Sequence, residues 1–219
     1  IALDRGKLVR DIYEGSREIA HGFLPPGLPG HDPLTPPIAF DPEDARRLLA
    51  ASSYGGPEAL PPIVYTTQGT PRPGSLVIAL ADMWNESLGV EIQVSSLDPG
   101  TYFYNLETER GNLFDYGWIA DYPDPHNFLD VLFHSGGENN VGGYNNDQVN
   151  QLLEKARLEQ DTQRRLNLYR QVEKLIIEDA AAIPLNFGRS HLVAKPYVKD
   201  LALTPFGQID LRRVSLLPR

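Results

Sequence analysis

The sequence predicts an α/β fold with a mixed, largely parallel sheet flanked by helices. Stretches typical of strands occur at residues 63–67, 90–94 and 114–119, and stretches with helical spacing of apolar residues separate them. The connections are short, and strands that alternate with helices in this way run parallel and are joined by right-handed crossovers. With 219 residues and 41% hydrophobic content, the chain can form one good core, or one core plus a small appendage.

The region before the first strand is predicted to be helical at both ends and irregular between them. Apolar residues at helical spacing predict a helix over residues 3–13. Residues 22–42 contain seven prolines and no periodicity, which indicates a long surface loop and not a linker between domains. Asp41 is predicted to cap the next helix, because Pro42 and two acidic residues follow it. The loop is expected to be held against the protein by Phe23, Leu24, Leu28 and Ile38.

The alternating region and the two helices after it have recognisable ends. Gly89 is predicted to end the helix whose apolar residues begin at Leu76, and a short helix is predicted after Pro99. Two amphipathic helices follow residue 145. Their predicted caps are Asn145 or Asn146 for the first and Asp161 or Thr162 for the second.

The last part of the chain is predicted to contain strands and no amphipathic helix. Residues 183–187 resemble a strand, and shorter strand-like pieces occur at 192–194 and 198–203. The chain starts at Ile1, already in a helical pattern, so we expect it to be a fragment of a longer protein, and the missing signal peptide says nothing about location.

The composition excludes several classes of function. A net charge of −9, a pI of about 5.0 and the absence of Lys/Arg runs argue against nucleic acid and anionic membranes as main partners. The chain has no cysteine, so disulfides, thiol catalysis and thiolate metal sites are excluded. No apolar stretch approaches the roughly 18 residues of a membrane span.

The strongest candidate site is the segment in which an apolar run, residues 113–120, ends at Asp121. Trp118 comes three residues earlier, and Pro123 and Pro125 stiffen the loop that follows. In open parallel sheets, ligands bind beyond the carboxyl ends of the strands. An aromatic face and a fixed negative charge there suit a ligand with an apolar part and an amine. Asp121 as a turn or helix cap, and Trp118 as a core residue, remain open alternatives.

Two kinds of chemistry are alternatives to simple binding at this segment. Asp121 and Asp124 together suggest a glycosidase-like pair of acid and base, although two carboxylates three residues apart are also common in turns. His126, Asp130 and His134 are spaced four apart and on one helix face can hold a divalent metal, or form a solvated face. No nucleophile elbow, phosphate loop or dinucleotide fingerprint is present.

A turn-rich loop follows this segment. It contains Asn139 and Asn140 and continues through Gly142 and Gly143 to Tyr144. The side-chain amides of the two asparagines can hydrogen-bond a ligand or close a turn. Both interpretations remain open at this point.

Four segments, in this order, carry a resemblance to a known family. They are FDPEDARRLL (residues 40–49), LGVEI (88–92), GWIADYPDP (117–125), and GYNN (143–146) together with DAAAIPL (179–185). The chain resembles the extracytoplasmic solute-binding proteins of peptide ABC importers, the oligopeptide and dipeptide binding family. The third segment is the most specific of the four, and the resemblance covers nearly the whole chain.

The resemblance implies a periplasmic-binding-protein-like lobe. Members have two lobes that close over a ligand, so residues 1–187 are expected to form the second lobe. Residues 188–219 are expected to form the return segment that packs on the first lobe, which is missing here. The implied location is extracytoplasmic, in the periplasm or anchored at the cell surface.

The resemblance also implies roles for individual residues. Asp121 matches the aspartate that holds the amino group of a peptide, Trp118 matches an aromatic residue of the side-chain pocket, and Gly117 matches a backbone contact. Tyr122 and Asn140 complete the expected ligand-binding set. The implied partners are a small peptide and a membrane permease. No catalytic residue, cofactor or metal is implied, and an oligosaccharide or a metal chelate is the alternative ligand.

Overall fold

The computed structural model describes residues 1–69, 72–108, 111–204, 207 and 209–217. The chain divides into two compact units. Unit 1 comprises Ile1–Ile19 and Pro36–Gly117, and unit 2 comprises Ala20–Thr35 and Trp118–Arg219. The second unit is therefore built from an early loop and the second half of the chain.

Unit 1 contains the alternating region. Its described helices are α1 (Arg5–Lys7), α2 (Pro42–Ala51), α3 (Ser75–Leu88) and α4 (Pro99–Thr108), with a π-helical turn at Leu8–Ile12 and a 3-10 turn at Pro57–Ala59. Its described strands are β1 (Arg17–Ile19), β2 (Ile63–Gln68), β3 (Ile92–Leu97) and β4 (Leu113–Phe114). The predicted helix over residues 3–13 is thus present as α1 and the π-helical turn that continues it.

The sheet of unit 1 has the order β3-β2-β4, and both neighbours of β2 run parallel to it. Ile63 lies opposite Ile92, and Tyr65 lies opposite Leu113. The prediction of parallel strands joined through helices is confirmed. The third strand is much shorter than the predicted 114–119, since it comprises Leu113 and Phe114. At the next residue, the backbone carbonyl of Asp115 accepts a hydrogen bond from the Tyr102 hydroxyl.

Local signals fix the helix ends of unit 1. The Asp41 carboxylate accepts a hydrogen bond from the backbone N–H of Asp44 at 2.9 Å, which confirms the predicted cap. Gly89 ends α3 in the left-handed conformation with φ of 68°, as expected for a glycine at this position. The core of this unit is formed mainly by Leu3, Leu8, Tyr65, Val77, Leu80, Met83, Tyr102 and Leu106.

Unit 2 is mainly helical in its first part and extended in its last part. Its described helices are α5 (His126–Phe133), α6 (Asp147–Leu158) and α7 (Thr162–Glu178), and a 3-10 turn lies at Leu211–Arg213. Its described strands are β5 (Asn186–Gly188), β6 (Val198–Lys199), β7 (Ala202–Leu203), β8 (Ile209–Asp210) and β9 (Ser215–Leu216). Asn146 caps α6 and Asp161 caps α7, one of the two predicted candidates in each case.

The core of unit 2 joins all three long helices to the proline-rich loop. Its fully buried residues include Leu129 of α5, Leu153 of α6, Tyr169 and Ile176 of α7, and Leu24 of the loop. The hydrophobic effect therefore holds the loop against the helices, as the sequence predicted. Phe23 and Leu28 also pack against this core.

The final segment forms two short antiparallel pairs, β6 with β9 and β7 with β8. The strand-like piece at 198–203 is confirmed in part, whereas residues 192–194 are not a strand. Among the residues described, none of the helices has both the length and the apolar character that crossing a bilayer requires.

Candidate ligand-binding site

Trp118, Asp121 and Tyr122 lie in the irregular segment that precedes α5 in unit 2. The Trp118 ring is half-buried and packs against the core of this unit. Asp121 is exposed, and Tyr122 has 39% of its surface exposed. The segment therefore presents an aromatic ring, a carboxylate and a phenol on a surface supported by the core.

Asn127 connects the tryptophan to the aspartate. Its side-chain Oδ1 accepts hydrogen bonds from Trp118 Nε1 at 2.8 Å and from the Asp121 backbone N–H at 3.1 Å. Its Nδ2 donates to Asp121 Oδ2 at 3.1 Å. Asn127 is only 1% exposed, so these bonds satisfy an amide that would otherwise be costly to bury.

The first turn of α5 determines the position of Asn127. The backbone N–H of Asn127 donates to the carbonyl of Asp124 at 3.1 Å, and the His126 N–H donates to the Asp124 carboxylate at 2.9 Å. Pro125 precedes the helix and is buried. The backbone of Gly30 lies so near that a Cβ there would come within 2.9 Å of the Pro125 ring. The proline-rich loop thus supports the start of α5.

Asp124 is held by Arg165 of α7. The two guanidinium nitrogens donate to the two carboxylate oxygens at 2.6 and 2.8 Å, and the guanidinium lies over the Tyr169 ring at 5.0 Å from its centroid. Burial opposes ionisation of Asp124, but the hydrogen bonds from Arg165 and from the His126 N–H, together with the charges of these two residues, outweigh it and lower the pKa of this carboxyl. A general acid needs a raised pKa, so this arrangement suits a structural ion pair and not acid catalysis.

Of the three candidate metal ligands, His126 and Asp130 lie side by side, with 3.7 Å between Nε2 and Oδ2, but all three also have other partners. His126 shares a hydrogen bond of 2.6 Å with the Tyr122 hydroxyl, and Asp130 accepts two hydrogen bonds from Arg157 at 2.7 and 2.8 Å. His134 lies just beyond the end of α5, with Nε2 at 3.5 Å from a Glu154 oxygen. Within the described part of the chain, no three His, Cys, Asp or Glu side chains form a group that can hold a metal ion.

Asn140 is buried in the loop after α5. Its amide donates to the carbonyls of Tyr144 at 2.7 Å and of His134 at 3.3 Å, and its Oδ1 accepts from the Tyr144 N–H at 3.0 Å. These contacts close the loop. That Asn140 also contacts a ligand stays a prediction.

The carboxylate of Asp121 is partly fixed and partly open. Asn127 holds Oδ2, while Oδ1 has no hydrogen-bond or ion-pair partner among the described residues and the side chain is exposed. Gly117 is exposed as well, and a Cβ built there would meet no atom within 4 Å. An oriented carboxylate of this kind can accept hydrogen bonds from an ammonium group.

Three residues of this network were not among the predicted site residues, namely Asn127, Arg157 and Arg165. Two signals pointed to them. Asp130 lies within the apolar residues 128–133, and a carboxylate buried among such residues requires a cationic partner. Asparagine is a poor helix former, so its presence in the first turn of α5 indicates a side-chain role.

Comparison with known proteins gives relatives along almost the whole chain. Dipeptide-binding protein DppE of Bacillus subtilis (strain 168) is 25% identical over an alignment of 222 positions, which covers 97% of this chain and 40% of DppE. Heme-binding protein A of Haemophilus influenzae is 29% identical over an alignment of 226 positions, which covers 98% of this chain and 40% of that protein. Both relatives are named as binding proteins. The chain spans about 40% of their length.

Solved structures show the same fold. The ABC transporter-associated periplasmic binding protein DppA from Helicobacter pylori, in complex with the peptide STSA, matches with a TM-score of 0.79 and 25% identity. The match covers 90% of this chain and 39% of that one. The family model described as "Bacterial extracellular solute-binding proteins, family 5 Middle" matches residues 1–140. Because this match includes more than half of the chain, the chain belongs to the family 5 bacterial extracellular solute-binding proteins.

Proposed function

We propose that the chain is the ligand-binding lobe of an ABC-importer receptor and that it binds small peptides through their free amino group. Membership of the solute-binding family and the names of two relatives, a dipeptide-binding protein and a periplasmic binding protein with a bound peptide, support the ligand class. The observation that carries the proposal is the Asp121 carboxylate, with one oxygen held by Asn127 and the other exposed.

The chemistry of a peptide amino terminus fits this carboxylate. An ammonium group donates short, charge-assisted hydrogen bonds, and these strengthen when a closed cleft excludes water. In the proposed site, Trp118 lines a side-chain pocket, and Gly117 and Tyr122 contact the ligand near its amino end. Main-chain hydrogen bonds combined with roomy side-chain pockets allow one receptor to accept many sequences. Asn140 stays a predicted ligand contact.

The proposed protein binds and releases its ligand without chemical change. The ion pair between Asp124 and Arg165 supports this, because Arg165 engages both oxygens of Asp124, and a glycosidase mechanism would require this carboxylate beside that of Asp121. We propose that a first lobe completes the cleft and that closure favours the state recognised by a membrane permease. The proposed location is extracytoplasmic.

The test is a calorimetric titration of the full-length protein with a pool of di- to pentapeptides and with the same pool after N-acetylation. We expect binding to require the free amine. We also expect Asp121→Asn to weaken binding of free-amine peptides by about 10- to 100-fold, the value of a charge-assisted hydrogen bond. Asp147→Asn, the same change at an exposed position in α6, serves as the control.

The outcomes separate the candidate ligands. If Asp121→Asn weakened both pools equally, the assignment of Asp121 to the amino group would be wrong. If neither pool bound, the alternative would be an oligosaccharide or a metal chelate, and the similarity to a heme-binding protein would favour the chelate. Turnover of any bound peptide would contradict the binding-only proposal.

A further inference from the structure

We infer that Asn127 is a positioning residue that makes the Trp118 ring and the Asp121 carboxylate one rigid recognition unit, so that its amide determines selectivity for a free amine. This inference rests on the proposed function, since it concerns the same site. Asn127 itself is buried and is argued to act only through the two residues that it holds.

The Asn127 amide acts both as an acceptor and as a donor. Its oxygen accepts hydrogen bonds from the Trp118 indole N–H and the Asp121 backbone N–H, and its nitrogen donates to the Asp121 carboxylate. A neutral carboxamide presents an acceptor and a donor on the same planar group at any pH near neutrality. An ionised aspartate would accept but not donate, and a leucine would do neither.

Burial fixes the orientation of the Asn127 amide. With Asn127 only 1% exposed, turning the amide would leave two N–H groups without their acceptor and would place its own N–H groups against them. The amide therefore holds one oxygen of the Asp121 carboxylate in a fixed position. The remaining oxygen is then held in one direction before any ligand arrives, which lowers the entropic cost of binding.

The helix that carries Asn127 is itself held firmly at its first turn. The start of α5 is fixed by the ion pair between Asp124 and Arg165 and by the close approach of Gly30 to Pro125. Asn127 thus projects from a rigid element, and binding groups supported in this way are held more exactly than groups on unsupported loops.

The experiment compares Asn127→Asp with the unaltered full-length protein, using the free-amine and N-acetylated peptide pools between pH 5 and 7. Asn127→Asp keeps both acceptor bonds but places a second carboxylate oxygen beside Asp121, and neighbouring carboxylates at this separation share a proton. We expect free-amine binding to weaken about 10-fold and to become dependent on pH, whereas N-acetylated peptides show neither change. Asn167→Asp on the exposed face of α7 is the control.

Trp118→Phe tests the other end of the network without altering position 127. It keeps an aromatic ring but removes the indole N–H, so we expect a loss of about 3- to 10-fold for free-amine peptides that exceeds the loss for N-acetylated peptides. If Asn127→Asp does not fold, this variant decides the question alone.

Failure of the inference can be told apart from failure of the proposed function. If the unaltered protein prefers free amines but the variants at positions 127 and 118 weaken both pools equally and without pH dependence, Asn127 is merely structural and the inference is overturned. If the unaltered protein shows no preference for a free amine, the proposed function fails and the inference fails with it.

Discussion

The carboxylate of Glu173 fills the space that a side chain at position 22 would need. A Cβ on Gly22 would lie 2.5 Å from Glu173 Oε1. The same oxygen accepts hydrogen bonds from the backbone N–H groups of Phe23 at 2.6 Å and Leu24 at 3.0 Å. Glu173 is 7% exposed, so a single buried carboxyl of α7 binds the proline-rich loop at its beginning.

We predict that Gly22→Ala lowers the free energy of unfolding by about 1–3 kcal/mol, because the methyl group displaces Glu173 from its two N–H donors. Urea unfolding measures the change. In a Glu173→Ala background the same substitution should cost much less, since nothing remains for the methyl group to displace. Gly142→Ala, at a position with open space, is the control. Equal costs in both backgrounds would contradict the explanation.

The buried carboxyl of Glu173 is also expected to make the free energy of unfolding depend on pH. Burial raises the pKa of Glu173, with the backbone N–H groups of Phe23 and Leu24 and the nearby His31 opposing it and Asp32 adding to it. A raised pKa in the folded protein means that the stabilisation is full below the ordinary glutamate range and is lost as pH rises through the folded-state pKa. Glu173→Gln keeps the acceptor oxygen without the charge. We therefore expect this variant to gain stability relative to the unaltered protein as pH rises.

The measurement for this prediction is urea unfolding of both proteins from pH 4 to pH 8. The difference in free energy of unfolding between Glu173→Gln and the unaltered protein should increase with pH and then level off. Two curves that remain parallel over the whole range would show that Glu173 does not carry the pH dependence.

The ion pair between Asp124 and Arg165 predicts the opposite dependence on pH. Their side chains are 30% and 26% exposed, and we expect Asp124→Asn to cost about 2 kcal/mol at neutral pH. The pKa of Asp124 is lowered, so its stabilisation is present above the ordinary aspartate range and is lost as pH falls through the folded-state pKa. Thermal unfolding should show the two proteins converging in acid. Asp147→Asn should show no such convergence.

We predict a larger effect when the partner of Asp130 is removed. The Asp130 side chain is 4% exposed and is paired with Arg157, so Arg157→Leu leaves a buried carboxylate without its guanidinium partner and with His126 Nε2 3.7 Å away. A loss of about 3 kcal/mol is expected. Arg164→Leu, at an exposed position of α7, provides the comparison in urea unfolding. Similar midpoints for the two variants would refute the prediction.

The parts of the fold that follow from local chemistry were predictable. Asp41, Gly89 and Asp161 end or begin helices because their side chains or backbone conformations suit those positions, and these effects act over a few residues. The parallel order of β2 and its neighbours followed from alternation along the chain. The extent of β4 did not, since the apolar pattern runs past Phe114 and contains no sign of the contact between the Tyr102 hydroxyl and the Asp115 backbone just beyond the strand.

In the candidate site, too, features set by neighbouring residues could be predicted from the sequence, whereas long-range contacts could not. Trp118 and Asp121 could be identified because an apolar run ends there at a charge and because the segment resembles a family motif. The role of Asn127 depends on the angle at which the segment meets α5, and that of Arg165 depends on helix packing across 41 positions. Such contacts are made by tertiary structure, and no pattern within one segment encodes them.

The bond between Glu173 and the loop has a consequence for the order in which the chain folds during synthesis. Phe23 and Glu173 are 150 positions apart, so the loop is made long before the helix that binds it. At typical rates of translation the interval is roughly 8–30 s. The residues of unit 1 are complete once Gly117 has been synthesised, whereas the N–H groups of Phe23 and Leu24 gain their acceptor only when Glu173 is made. The prolines of the loop have no N–H group, so at their positions the loop cannot donate a backbone hydrogen bond to a wrong strand during this interval.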